Sequence, residues 1–132
     1  MAVNDFGSIY SATGATTLTT SYSGTSIFAA GGESAVALWL TLVWANGTTA
    51  TSTEVKLQGS YDGTNFVDLQ TVDATNGNVA VEQTYTATDN TTEYHCIETT
   101  SNFLCYGGLR VQAKITGTVS STDSVTVYAV GD

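Results

Sequence analysis

Ala35-Val36-Ala37-Leu38-Trp39-Leu40-Thr41-Leu42-Val43-Trp44 is apolar on both phases of a two-residue period. Val36, Leu38, Leu40, Leu42 and Trp44 fall on one phase; Ala35, Ala37, Trp39, Thr41 and Val43 fall on the other. A buried helix is the rival reading. The β-branched and aromatic content argues against it, as do Gly31-Gly32 and Asn46-Gly47 at the two ends. The stretch is therefore read as a central strand whose second face meets a neighbouring element or subunit, with Trp39 and Trp44 as interface candidates.

Working outward, the same period recurs with one apolar phase only. Val55, Leu57 and Gly59 alternate with Glu54, Lys56 and Gln58. Val111, Ala113 and Ile115 alternate with Arg110, Gln112 and Lys114, and Val125, Val127 and Ala129 alternate with Ser124, Thr126 and Tyr128. Such segments bury one face and wet the other. Asn46-Gly47, Asp62-Gly63 and Asn76-Gly77 tolerate positive φ and suit hairpin turns, and Gly107-Gly108 marks another corner. Strands are expected near 16–22, 26–30, 35–44, 53–61, 66–71, 78–86, 93–98, 108–116 and 123–130. Residues 1–15 read as an extended N-terminal arm, and 16–132 as a single β-sandwich domain. Eight to nine short strands with no convincing helix predict an all-β fold, an antiparallel sandwich that is jelly-roll-like.

The chain has 132 residues, 3 Lys+Arg against 12 Asp+Glu, a formal charge of −9, and no proline. Three cations cannot neutralise many phosphates, so nucleic acid is excluded as a partner. A polybasic membrane helix is excluded on the same ground. The apolar run from Ala35 to Ala45 falls short of the ~20 residues that span a bilayer. Met1-Ala2-Val3-Asn4-Asp5 has neither a basic nor an apolar leader region, so synthesis in a reducing cytoplasm is expected. Without proline, strand edges need cover from loops, from the arm or from another subunit.

No constellation singles out a reaction, and neither an enzyme nor a cofactor is expected. His95 and Cys96 are neighbours in a predicted strand, so they point to opposite faces and cannot share a metal. No GxSxG elbow accompanies the single imidazole. Cys96 and Cys105 could pair across a hairpin if geometry allows. Asp62, Asn65 and Asp68 offer oxygen donors in one loop, but the calcium-loop pattern and its closing Glu are missing. The bland reading is a turn in which Asp and Asn bond the backbone. Lys56, Arg110 and Lys114 all lie on the polar phase of their strands. They should gather on one sheet surface, where they would either pair with nearby acids or dock an acidic partner.

The stretch Glu54-Val55-Lys56-Leu57-Gln58-Gly59-Ser60-Tyr61-Asp62-Gly63-Thr64-Asn65-Phe66-Val67-Asp68-Leu69 resembles a hairpin common in virion proteins of tailed bacteriophages. Tyr106-Gly107-Gly108-Leu109-Arg110-Val111-Gln112-Ala113-Lys114 is similar to the strand that follows in such proteins. With Ser124–Val130 the resemblance covers about half the chain. It implies a β-sandwich virion component, a capsid decoration (cement) protein that binds the outside of a phage head and stabilises it. The implied partners are the major capsid protein or another virion protein, and further copies of the chain as a dimer or trimer. The alternative is a tail- or neck-associated sandwich that binds a host-surface glycan. The resemblance carries no catalytic residues.

Overall fold

The computed structural model describes residues 4–14, 16–28, 36–73, 77–99 and 107–132. Among them are eleven strands: β1 (Asn4–Thr13), β2 (Ile27–Phe28), β3 (Val36–Trp44), β4 (Thr49–Ser60), β5 (Phe66–Asp68), β6 (Gln70–Asp73), β7 (Gly77–Ala80), β8 (Glu82–Thr86), β9 (Thr91–Thr99), β10 (Leu109–Thr118) and β11 (Ser124–Gly131). Nine of them build two antiparallel sheets. Sheet I runs β1-β11-β3-β9. Sheet II runs β2-β10-β4-β5, with β8 also on β4. The remaining two, β6 and β7, pair as a separate ribbon.

The pairing is nested. β1 pairs with β11, β2 with β10, β3 with β9, and β4 with β5 and β8. This is one long hairpin folded over on itself, the jelly-roll connectivity, and the strands alternate between the sheets as it wraps. The all-β antiparallel sandwich expected from the alternation is what the chain forms.

Alternation in the sequence explains the core. Leu38, Leu40, Leu42 and Trp44 of β3 join Val125, Val127 and Ala129 of β11 on the inner side of sheet I. Val55 and Leu57 of β4, with Leu109, Val111, Ala113 and Ile115 of β10, face them from sheet II. Each large aliphatic side chain removed from water in this way contributes about 1.5–3 kcal/mol. Trp44 is only 3% exposed. The interface role considered for Trp44 is thereby corrected, because it shares the inward phase of Leu38 and Leu40. Trp39 sits on the opposite phase and is 53% exposed.

Three expectations about elements change. Residues 4–13 are extended, but they run as the edge strand β1 along β11 rather than as a separate arm. Register shifts between Asp5 and Gly7 and between Ser8 and Tyr10 break the period. Ile9 and Tyr10 are consecutive and both buried, which hides the strand from an alternation count. Residues 16–22 form no strand. Their neighbour Ser23 bridges Ala113, and Ile115 donates its N–H to the Thr19 carbonyl, so the segment lines the outer edge of β10.

The strands expected at 66–71 and 78–86 each divide. Leu57 N–H reaches Val81 O, Leu69 N–H reaches Leu57 O, and Val81 N–H reaches Leu69 O. This crossing at Leu57 ends β5 and starts β8, and the β6–β7 ribbon springs from the gap. Close backbone approaches fix the loops. A Cβ on Gly107 would lie 2.1 Å from Gly63 N, and one on Gly14 would lie 1.7 Å from Ser120 O.

Candidate functional site

The outer faces of the two sheets differ in chemistry. On sheet II, register sets Arg110 opposite Gln58, Gln112 opposite Lys56 and Lys114 opposite Glu54. Beyond β4, Lys56 faces Glu82 and Gln58 faces Asp68. The three cations of the chain therefore share one surface, as the strand phases predict. Lys56 Nζ lies 3.0 Å from Asp68 Oδ1, and Lys114 Nζ lies 3.1 Å from Glu54 Oε2. Tyr22 leans across β10 between the two lysines, with its ring centroid 4.0 Å from Lys56 Nζ and 4.8 Å from Lys114 Nζ. Arg110 stacks over Phe66 at 4.2 Å and donates its Nε–H to Gln58 Oε1 at 2.8 Å. Among the described residues, no carboxylate pairs with Arg110.

These contacts shift protonation. Asp68 is held below the usual carboxylate range, first by the Gln58 amide at 2.7 Å and then by Lys56. Burial pushes the Tyr22 phenol up, helped by the charges of Glu54, Glu82 and Asp68. The cations are thus held in fixed positions by local partners on a nearly charge-balanced face.

On sheet I the outer positions form rows across the strands. One row is Ser8, Tyr128, Trp39 and Cys96; the next is Ser11, Thr126, Thr41 and Tyr94. Tyr94 is 77% exposed and Tyr128 is 48% exposed. A groove of ≈ 340 Å³ runs between Trp39, Tyr94 and Tyr128. Among the described residues, acids enter this face at one end only, where Asp5 faces Val130 and Glu98 faces Ala37.

The remaining candidates take structural places. His95 stacks on Tyr85, with ring centroids 4.1 Å apart, and so closes one open side between β9 and β8. Its Nε2 lies 3.4 Å from Glu93 Oε2. Cys96 points the other way, exposed, with a free thiol. Partial burial and the Glu98 charge push that thiol up. Cys105 lies outside the described residues, and with it the pairing considered for the two cysteines.

Asp62 closes the loop between β4 and β5. Its carboxylate accepts the Asn65 and Thr64 N–H groups at 2.7 and 2.8 Å, the Asn65 side-chain amide at 2.6 Å and the Ser60 hydroxyl at 3.0 Å. Those bonds hold Asp62 well below the usual carboxylate range. The loop is an Asx turn of the kind weighed against calcium, with its oxygens already turned to the chain's own donors. Among the described residues no cluster of three His, Cys, Asp or Glu stands together.

One residue has a role that sequence reading missed. Asp123 is fully buried. Its carboxylate accepts Ala45 N–H at 2.7 Å, the Thr48 hydroxyl at 3.0 Å and Ser120 N–H at 2.9 Å. Its carbonyl accepts Gly14 N–H at 2.6 Å. The end of β1, the β3–β4 turn and the β10–β11 turn all meet on this residue, the first through its carbonyl and the two turns through its carboxylate.

Set beside known proteins, the chain matches no family model and no curated sequence.

Proposed function

We propose that this chain is a structural virion protein of the capsid-decoration type, which docks on a phage shell through the outer face of sheet II. The observation that carries the reading is the gathering of Lys56, Arg110 and Lys114 on that one flat face. The chain bears −9 overall, so an acidic partner surface meets least repulsion there. Tyr22, Phe66 and Gln58 already hold the cations in place, so docking costs little side-chain entropy. The hairpin at 54–69, on which the resemblance rests, supplies Lys56, Gln58 and Phe66 to this surface. Non-covalent bridging of neighbouring shell subunits would be the mechanism, with no chemical step. Synthesis in the host cytoplasm and assembly into the virion, as a dimer or trimer, complete the proposal.

The test is reconstitution on shells that lack the protein. The native chain should bind and raise the shell melting temperature. Arg110→Glu with Lys114→Glu should abolish binding while far-UV circular dichroism stays unchanged, since partly exposed pairs such as Lys114–Glu54 are worth about 1 kcal/mol. Undiminished binding by the double variant would remove sheet II as the docking face. Exposed Trp39 favours a second reading, a tail- or neck-associated module that meets a host-surface glycan. Electron microscopy of the native particle separates the two by position.

A further inference from the structure

We infer that the outer face of sheet I holds a binding site for a neutral sugar ring, seated on Trp39 between Tyr94 and Tyr128. The inference deepens the second reading above, with which it shares the exposed Trp39, and it stands or falls separately from shell docking on sheet II. Its first ground is geometry. Trp39 and Tyr128 are directly opposed across β3 and β11, and Tyr94 lies in the adjacent row on β9. All three rings stand on paired central or edge strands whose backbone is fixed by continuous ladders. The groove between them measures ≈ 340 Å³. A pyranose presents a patch of C–H groups on one side and hydroxyls around its rim. Aromatic faces match the first, because their electron-rich faces attract the slightly positive C–H groups. The hydroxyls of Thr41 and Tyr94 line the same groove and match the second.

Charge is the second ground. Among the described residues the groove is lined by no carboxylate, lysine or arginine, and its face carries acids only at the far row of Asp5 and Glu98. His95 also borders the groove, but its ring is stacked on Tyr85 and its Nε2 lies beside Glu93, so in a chain of −9 an anion finds no lysine or arginine to hold it. A neutral ligand fits and an acidic sugar does not.

Area decides against a second copy of the chain. At 53%, 77% and 48% exposure, the three rings offer on the order of 400 Å² of accessible surface. A stable protein interface takes about 800 Å² from each partner. The aromatic patch is half of that, and it is ample for one or two sugar rings.

Tryptophan emission reads the site directly, since Trp44 is in the core and Trp39 is not. The native chain is titrated, at millimolar ligand, with methyl glucoside, methyl galactoside, N-acetylglucosamine and their neutral oligomers, and with glucuronate as the anionic arm. At least one neutral sugar should shift and partly quench the emission, and glucuronate should not. Trp39→Ala should lower the association constant at least tenfold, about 1.4 kcal/mol, and Tyr128→Ala should also weaken it. Both should leave the melting temperature within a few degrees, because neither ring is in the core. Silence across the neutral panel overturns the inference, and so does equal binding of glucuronate. A concentration-dependent dimer that Trp39→Glu dissociates also overturns it, by assigning the face to a second copy.

Discussion

At the scale of single residues, Asp123 shows how one polar side chain can tie two turns together. Its carboxylate is out of water, yet it is satisfied by Ala45, Thr48 and Ser120. Truncation would leave the buried Ala45 N–H and the part-buried Thr48 and Ser120 donors without this acceptor, and each such loss costs roughly 1 kcal/mol or more. Asp123→Ala should therefore lower the unfolding free energy by about 3 kcal/mol, read by urea denaturation, with Asp123→Asn intermediate. A loss below about 1 kcal/mol would mean that the loops find other partners. Nothing in Ser120-Ser121-Thr122-Asp123 announces this role. The local pattern is that of an ordinary turn, and the decisive partner, Ala45, is 78 residues away. Trp39 and Trp44 are the contrasting case. Their opposite phases in one strand were legible, and the structure places one outside and one inside accordingly.

Elements were legible where a strand is regular and opaque where it is interrupted. The alternations at 54–59, 110–115 and 124–129 became β4, β10 and β11, because each has one face on a core that rewards the period. β1 escaped detection because its register shifts place Ile9 and Tyr10 on the same side. The division of the 66–86 region depends on backbone bonds at Leu57, Leu69 and Val81, which no side-chain pattern encodes. The hairpin loop at 60–65 forms the turn that Asp62-Gly63 predicts, and an acid sensitivity follows from its geometry. The folded-state pKa of Asp62 is depressed, as is that of Asp68. A depressed carboxylate adds stability above its unfolded value, near about 3.9, and that contribution is lost as pH falls through this range and below. Melting temperature should hold steady down to about pH 5 and then decline. Asp62→Asn should lower the plateau and flatten the decline; an identical acid slope in the variant would assign the effect to other groups.

For the whole molecule, the nested pairing sets how folding proceeds. The β1–β11 ladder, Asn4 with Gly131 to Thr13 with Ser124, joins residues at opposite ends of the described chain. Long-range pairing of this kind places all-β domains in the millisecond-to-second range or slower. The chain contains no proline, so the prolyl isomerisation that adds phases of about 10–100 s is absent. Refolding should therefore follow one exponential whose amplitude is independent of how long the chain was held unfolded. A slow phase that grows with that delay would contradict it. The same feature bears on synthesis. β1 leaves the ribosome more than a hundred residues ahead of the strand that covers it. At about 5–20 residues per second, Ile9 and Tyr10 wait roughly 6–23 s for β11. A message broken anywhere before β11 thus yields a chain in which β1 and β3 both lack the strand that pairs between them, a ready target for proteases.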